Sequence, residues 1–278
     1  MSSDTGWRWL GRAMRSVLDT ELRKWSSLLV ADAFIGARYS YVELDGGWCG
    51  VAFSPREPGE PVSGLENATP RYLARLVERG LGGGAASLAL AALNAATMAW
   101  IYETPDPPIL LEKELGSVIG FRGDESVAVI GYMRGVVDEV LPRVRRVYVV
   151  EMSDELRREA EKRYKGYERV QVLGVENATR VLGAASILVV TGSALLYPGI
   201  LLEQLRAARN TRERVIVGPT SSFHPRLAAR LGFTLVGGVY IDPSLCSILR
   251  WHVAGGGGLH SLRRGSKAPL VPRFFARP

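Results

Sequence analysis

Trp7, Leu10, Met14, Leu18, Leu22, Trp25 and Leu29 recur every third or fourth residue, with charged side chains between them. That spacing puts the apolar set on one face and predicts an amphipathic helix. The pattern then tightens. "AFIGARYSYVEL" and "GWCGVAFSP" read as two strands, joined at Asp45-Gly46-Gly47, a hairpin signal. Thr69-Pro70 supplies an N-cap and a proline at the first helical position, opening a helix that runs through Val77. The run Gly82-Gly83-Gly84 stops that helix. "AASLALAALNAATMAWI" forms the next one, with small residues on most faces, so it should pack closely against a neighbour.

Past a proline-rich joint, "ETPDPP" at 103–108, the periodicity changes again. Strand-like apolar runs occupy 127–130, 147–150, 169–173, 186–190, 214–217 and 233–236, and helical stretches separate them at 135–142, 153–164, 177–184, 199–209 and 224–231. Short apolar strands alternating with helices imply parallel strands covered on both faces. Right-handed crossovers then give an α/β fold, a doubly wound, Rossmann-like parallel sheet preceded by a small α+β domain. The expected division is 1–105 for the N-terminal helix and small domain, 106–258 for the Rossmann-like domain, and 259–278 for a basic C-terminal tail.

Composition narrows the class. At 47% hydrophobic and 23% charged, the 278 residues can bury a core, which excludes a disordered chain. The net charge of +7 is concentrated at the end: Arg263, Arg264, Lys267, Arg273 and Arg277 stand in the last 18 residues with no acid, which leaves the body near +2. A solvated basic end is the plain reading, and nucleic acid is not the expected partner except through that tail. No stretch matches the roughly 20 mostly apolar residues of a membrane span. Charges recur where a signal peptide would need an apolar core. A cytoplasmic location is expected. Cys49 and Cys246 lack metal or redox spacing, so neither a disulfide framework nor a zinc knuckle is expected. Four Asn and two Gln, with only two Cys, follow a thermophile trend. The aromatic N-terminal helix is a plausible contact in a homo-oligomer.

In a doubly wound sheet, ligands sit beyond the carboxyl ends of the strands, where the strand order reverses. The residues there are Gly131, Tyr132, Met133 and Arg134, then Glu151, then Thr191, Gly192 and Ser193, and finally Gly218, Pro219, Thr220 and Ser221, followed by Ser222. Gly131 opens the first turn, but Met133 and Val136 hold the places where a dinucleotide loop has its second and third glycines. Glu151 is placed like a ribose-binding acid. Arg134 at a helix start, with the threonine and serine hydroxyls, could hold an anion. No GxSxG, HExxH or dense carboxylate pair is present. His224 is a candidate base or ligand, with a packing role the plainer alternative. Cys246 and His252 are about 600° apart around a helix, and so do not share a face.

The strings "IGARYSYVEL", "GVAFSP", "ASLALAALNA", "VAVIGYM", "VVTGSALL" and "VGPTSSFHP" occur in an order that resembles the "putative heavy-metal chelation" family of archaeal and bacterial proteins, over about residues 30–255. The resemblance implies an N-terminal domain like the cap domain of enolases, a Rossmann-like C-terminal domain, and a cleft at Gly131-Tyr132, Thr191-Gly192 and Gly218-Pro219. The run Ala194-Leu195-Leu196-Tyr197-Pro198 is less polar than the family pattern. The expected function is a cytoplasmic protein binding a small anionic or metal-bearing ligand: a metal ion, an oxyanion or a metal chelate. Met133 and Glu151 are candidate metal donors. The alternative is an enzyme using a nucleotide or S-adenosylmethionine in the same cleft.

Overall fold

The computed structural model describes residues 3–55, 65, 67–259, 262 and 271–278. The first helix, α1 (Ser3–Asp19), is shorter than its apolar periodicity. Beyond Asp19 the chain continues in turns, with Ser26 N donating to the Leu22 carbonyl at 2.9 Å. Leu22 stays buried and Leu29 is exposed. The strand expected over "AFIGARYSYVEL" is two strands, β1 (Val30–Ile35) and β2 (Tyr39–Leu44), which form an antiparallel sheet with β3 (Trp48–Phe53). The break falls at Gly36, whose N–H donates to the Tyr39 carbonyl at 3.0 Å. A Cβ there would meet that oxygen at 2.8 Å and the Val253 oxygen at 2.9 Å.

Helix α3 (Gly83–Glu103) covers this sheet, and α2 (Pro70–Glu78) packs against α3 and α1. The Thr69 side chain caps α2 by accepting from Tyr72 N. By length and composition α3 could cross a membrane, yet 94% of its apolar window is buried by the rest of the chain. Its alanines serve close approach. Gly50 of β3 lies so near that a Cβ would stand 2.3 Å from the Ala91 oxygen and 2.4 Å from Ala95 N.

The larger sheet has eight strands: β4 (Leu110–Leu111), β5 (Ser126–Ile130), β6 (Arg146–Val150), β7 (Val170–Leu173), β8 (Ile187–Thr191), β9 (Glu213–Val217), β10 (Leu235–Val239) and β11 (Arg273–Ala276). Their order is β4-β11-β10-β9-β8-β5-β6-β7. The run from β10 to β7 is parallel throughout, and β11 pairs antiparallel with both β10 and β4. Alternation along β5 sends Val127 and Val129 to one face, where they pack with α4 (Leu115–Ile119) and α5 (Arg134–Val140). Ala128 and Ile130 go to the other face, with α1 to α3, α7 (Ala178–Leu182), α8 (Pro198–Ala207) and α9 (Pro225–Arg230). A third cluster joins Tyr41, Cys49 and Val51 to Val239 and α10 (Cys246–Ala254). Arg212 ties the starts of β9 and β5, its Nη2 donating to the buried Glu125 carboxylate at 2.9 Å. The α/β class is as expected, with a mostly parallel sheet and helices on both faces.

Two expectations need correction. Cys49 and Cys246 are bonded to each other, across 197 residues, joining β3 to the start of α10. Sequence spacing carries no sign of so distant a pairing. The basic end is not wholly a solvated tail either. Arg273–Ala276 is an interior strand of the large sheet, and the Arg277 guanidinium pairs with Glu213 at 3.1 Å. Arg263, Arg264 and Lys267 lie outside the described residues.

Candidate functional site

The strand order reverses between β5 and β8, so the chain leaves these two neighbours in opposite directions and opens a crevice beyond their carboxyl ends. A cavity of about 540 Å³ occupies that place. Of the expected residues, Gly131, Tyr132, Glu151, Thr191, Gly192, Ser193, Gly218, Pro219 and Thr220 line it, whereas Met133, Arg134 and Ser221 do not.

The turns that form the floor are locked to one another. Gly131 has φ +81°, and a Cβ on it would fall 2.2 Å from the Thr191 methyl. A Cβ on Gly192 would be 2.7 Å from Ser221 N. These glycines let three loops close on one another. The buried Glu151 carboxylate accepts from Tyr132 N at 2.6 Å and from Ser153 N at 2.7 Å, which ties the turns after β5 and β6 together. The Thr191 and Ser193 hydroxyls lie 3.1 Å apart.

The three residues outside the cavity have other partners. Met133 packs with Val137 and Val140 in the core beneath α5. The Arg134 guanidinium lies 3.5 Å from Asp138 one turn along, on the surface. Ser221 Oγ is within hydrogen-bond distance of the Gly218 and Gly237 oxygens, at 2.8 and 2.7 Å. Part of the hydroxyl-rich loop therefore holds the fold together. Thr220 Oγ1 accepts from Phe53 N at 2.9 Å, and Asn94 Nδ2 of α3 lies 2.8 Å from the Val51 oxygen and 3.2 Å from that of Thr220. The small sheet is docked onto the crevice by these bonds.

That docking brings in residues that sequence reasoning missed. Tyr39 of β2 and Phe53 of β3 form part of the wall, with their rings edge to face and 6.3 Å apart. Burial pushes the Tyr39 phenol above its usual range, with nearby Arg38 opposing that rise. From the other side come Tyr197, which precedes α8, and Ile200, Leu201 and Gln204 of α8. Their spacing of three, four and seven residues is one helical face, and a lone amide on it was the signal available in the sequence. Among the described residues, those lining the cavity include no Lys, Arg or His.

The donor set does not fit a bare soft cation. Among the described residues no group of three or more His, Cys, Asp or Glu converges. Both cysteines are bonded to each other. His252 Nε2 lies 3.1 Å from the Gly258 oxygen, and His260 falls outside the described residues. His224 is also away from the cavity. Its Nδ1 accepts from Arg226 N at 3.2 Å, capping α9, and its ring meets Trp100 edge-on at 4.3 Å.

Burial, aided by the Arg226 charge, pulls the His224 pKa down to about 4. The imidazole is thus neutral in the fold, while the unfolded chain takes up its proton near pH 6.5. Stability is fully present above about pH 6.5 and is lost, at up to one proton's slope, as pH falls toward 4. We expect His224→Asn, which keeps a capping oxygen, to flatten the melting temperature over that window. A wild-type profile already flat from pH 7 to 4.5 would contradict this assignment.

Two family models, each described as "Putative heavy-metal chelation", match residues 19–97 and 115–272. Among solved structures, a protein of unknown function from Pyrococcus horikoshii superposes with a TM-score of 0.69 at 19% identity, covering 97% of this chain and 100% of that one. A second protein of unknown function, from Desulfitobacterium hafniense, gives 0.64 at 15% identity and covers 96% and 99%. These likenesses establish the fold. No curated protein matches the chain.

Proposed function

Because the chain belongs to the family described as "putative heavy-metal chelation", we propose that it binds a small organic ligand in the crevice at the β5–β8 reversal, and that any metal arrives within the ligand's own donor set. One observation carries this reading: the cavity of about 540 Å³, walled by both sheets and by α8. Its size lies within the ~300–1,000 Å³ of small-molecule sites. The metal enters as a chelate because, among the described residues, the side chains around the crevice do not converge as a soft-metal donor set. An oxyanion is the weaker candidate, since Arg134, the cation meant to hold it, is paired with Asp138 outside the cavity.

Glu151 at the end of β6 lines the same cavity, and it keeps a second reading in play, an adenosyl or nucleotide cofactor serving an enzyme. A cytoplasmic setting is part of the proposal. It accommodates the disulfide if the source is a thermophile, whose intracellular proteins retain such bonds.

Native mass spectrometry of undialysed protein tests the proposal. We expect excess mass over the denatured chain, from an organic molecule with or without a metal isotope pattern. Ile200→Trp, which places a large side chain at the half-exposed rim of the crevice, should abolish the adduct, and Arg134→Ala should leave it intact. An adduct that survives Ile200→Trp, or a bare protein that no metal chelate stabilises, would remove the basis for this site. An adenosyl adduct would favour the enzyme reading.

A further inference from the structure

One polar side chain in the crevice has no work in holding the fold. Gln204 is 6% exposed, lines the cavity, and makes no side-chain hydrogen bond among the described residues. Its neighbours on α8 are apolar: Leu201 and Leu205 are buried, and Ile200 shares its cavity face. The residue as a whole is buried, but its amide opens onto the cavity and not into the packed core. Several other polar contributors to the wall are held within the fold, while the Tyr132 hydroxyl is buried without a partner among the described residues. Glu151 is held by two backbone N–H groups, Thr191 and Ser193 face each other, and Thr220 accepts from Phe53. Among the described lining residues Gln204 is the one amide, and its hydrogen-bonding capacity is left for a ligand.

Its chemistry restricts that ligand. A primary amide offers a carbonyl acceptor and two N–H donors in one plane. It pairs in bidentate fashion with an adjacent donor and acceptor on a flat edge, as glutamine does with the edge of adenine. Tyr39, Phe53 and Tyr197 supply aromatic surface around the same cavity. Charge restricts the ligand further. The one ionisable acid or base among the described lining residues, tyrosines aside, is the carboxylate of Glu151. A phosphate dianion would be desolvated there with no cation to meet it.

Resting on the reading of the crevice as a small-molecule site, we propose that its ligand is an uncharged nitrogen heteroaromatic of nucleoside size, whose donor–acceptor edge pairs with the Gln204 amide. A ring nitrogen outside that edge is also a donor of the kind that suits a transition metal, which links this class to a ligated metal.

Adenosine, guanosine, cytidine and uridine present every common arrangement of that edge, and serve as probes beside their 5′-monophosphates. Calorimetric titration of the full chain should find at least one nucleoside that binds, with its monophosphate at least tenfold weaker. Gln204→Leu and Gln204→Met should each weaken that nucleoside by roughly 10- to 100-fold. Both should leave the melting temperature of the ligand-free protein unchanged or raise it, because each replaces an amide that bonds to no described residue with an apolar side chain of similar volume. A purely structural glutamine would give the opposite, a lower melting temperature with binding retained. If none of the four nucleosides binds, if the monophosphate binds better, or if both Gln204 variants bind as the parent does, this assignment is overturned. Ile200→Trp separates the two levels of the argument. Binding lost in Ile200→Trp but kept in the Gln204 variants leaves the crevice as the site and removes Gln204 as its reader, whereas binding kept in all three removes the crevice itself.

Discussion

Reduction of the Cys49–Cys246 bond should lower the melting temperature by roughly 5–15 °C. The bond spans 197 residues, so in the unfolded chain it closes a very long loop. Cross-links of that kind contribute about 2–5 kcal/mol, mostly by restricting the unfolded ensemble. For a domain of ~200 residues each kcal/mol is worth about 2–4 °C. Both cysteines are buried, at 1% and 4% exposure, so reduction is expected to be slow without mild denaturant. The Cys49→Ala/Cys246→Ala double variant avoids that difficulty, and scanning calorimetry of it beside the reduced parent is the measurement. The two should agree within a few degrees. A double variant that melts with the oxidised parent would show that the bond contributes nothing. A second consequence is functional. β3 carries Cys49 to the disulfide and Phe53 to the crevice wall, so loosening one end should weaken ligand binding at the other.

Gly50→Ala should be as damaging, for an unrelated reason. The added methyl would stand 2.3 Å from the Ala91 oxygen and 2.4 Å from Ala95 N, both backbone atoms of a buried helix. No side-chain rotation can relieve that clash, so β3 and α3 must separate. Overpacking a core usually costs about 1–3 kcal/mol, and contact with rigid backbone places this case at or above the top of that range. The Asn94 bridge to Val51 and Thr220 would be strained in the same movement. We expect little folded protein at 37 °C and a clearly lower denaturant midpoint in what remains. Ala52→Gly, two residues on, makes a useful control that removes a methyl without a clash. If Gly50→Ala melts within 2–3 °C of the parent, the close approach of α3 is wrong.

The large sheet was legible because each parallel strand is a short apolar run buried on both faces. Val127 to Ile130 has no polar residue to confuse its period, and the helices between strands carry caps or prolines at their starts, as Ser153 and Pro198 do. The small sheet was read less well. "AFIGARYSYVEL" is apolar on both sides of Gly36, and only the tertiary clash with Val253 shows that the chain must turn there. β11 was missed since "RFFA" follows a glycine- and arginine-rich stretch and reaches the sheet only through pairing with distant β10 and β4.

For the site, strand ends plus topology located the turns that line the crevice. Arg134 was a different matter. Asp138 stands four residues on, the spacing of a helical ion pair, and that pairing accounts for the guanidinium better than an anion does. Tyr39 and Phe53 could not have been found from sequence, because their place depends on how one sheet docks on another. Gln204 could have been, as the lone amide on an apolar helical face.

The placing of β11 also sets a timetable for synthesis. Leu110 and Leu111 of β4 pair with Phe275 and Phe274, residues made more than 160 positions later. At ~5–20 residues per second this is an interval of roughly 10–30 s. Throughout it β4 lacks the one strand it pairs with among the described residues, and once made, β10 (Leu-Val-Gly-Gly-Val) presents an uncharged open edge. Such an edge is a template for a strand from another chain. The nascent protein therefore passes through a state whose exposed rim invites the wrong partner, and arrival of the last strand closes it.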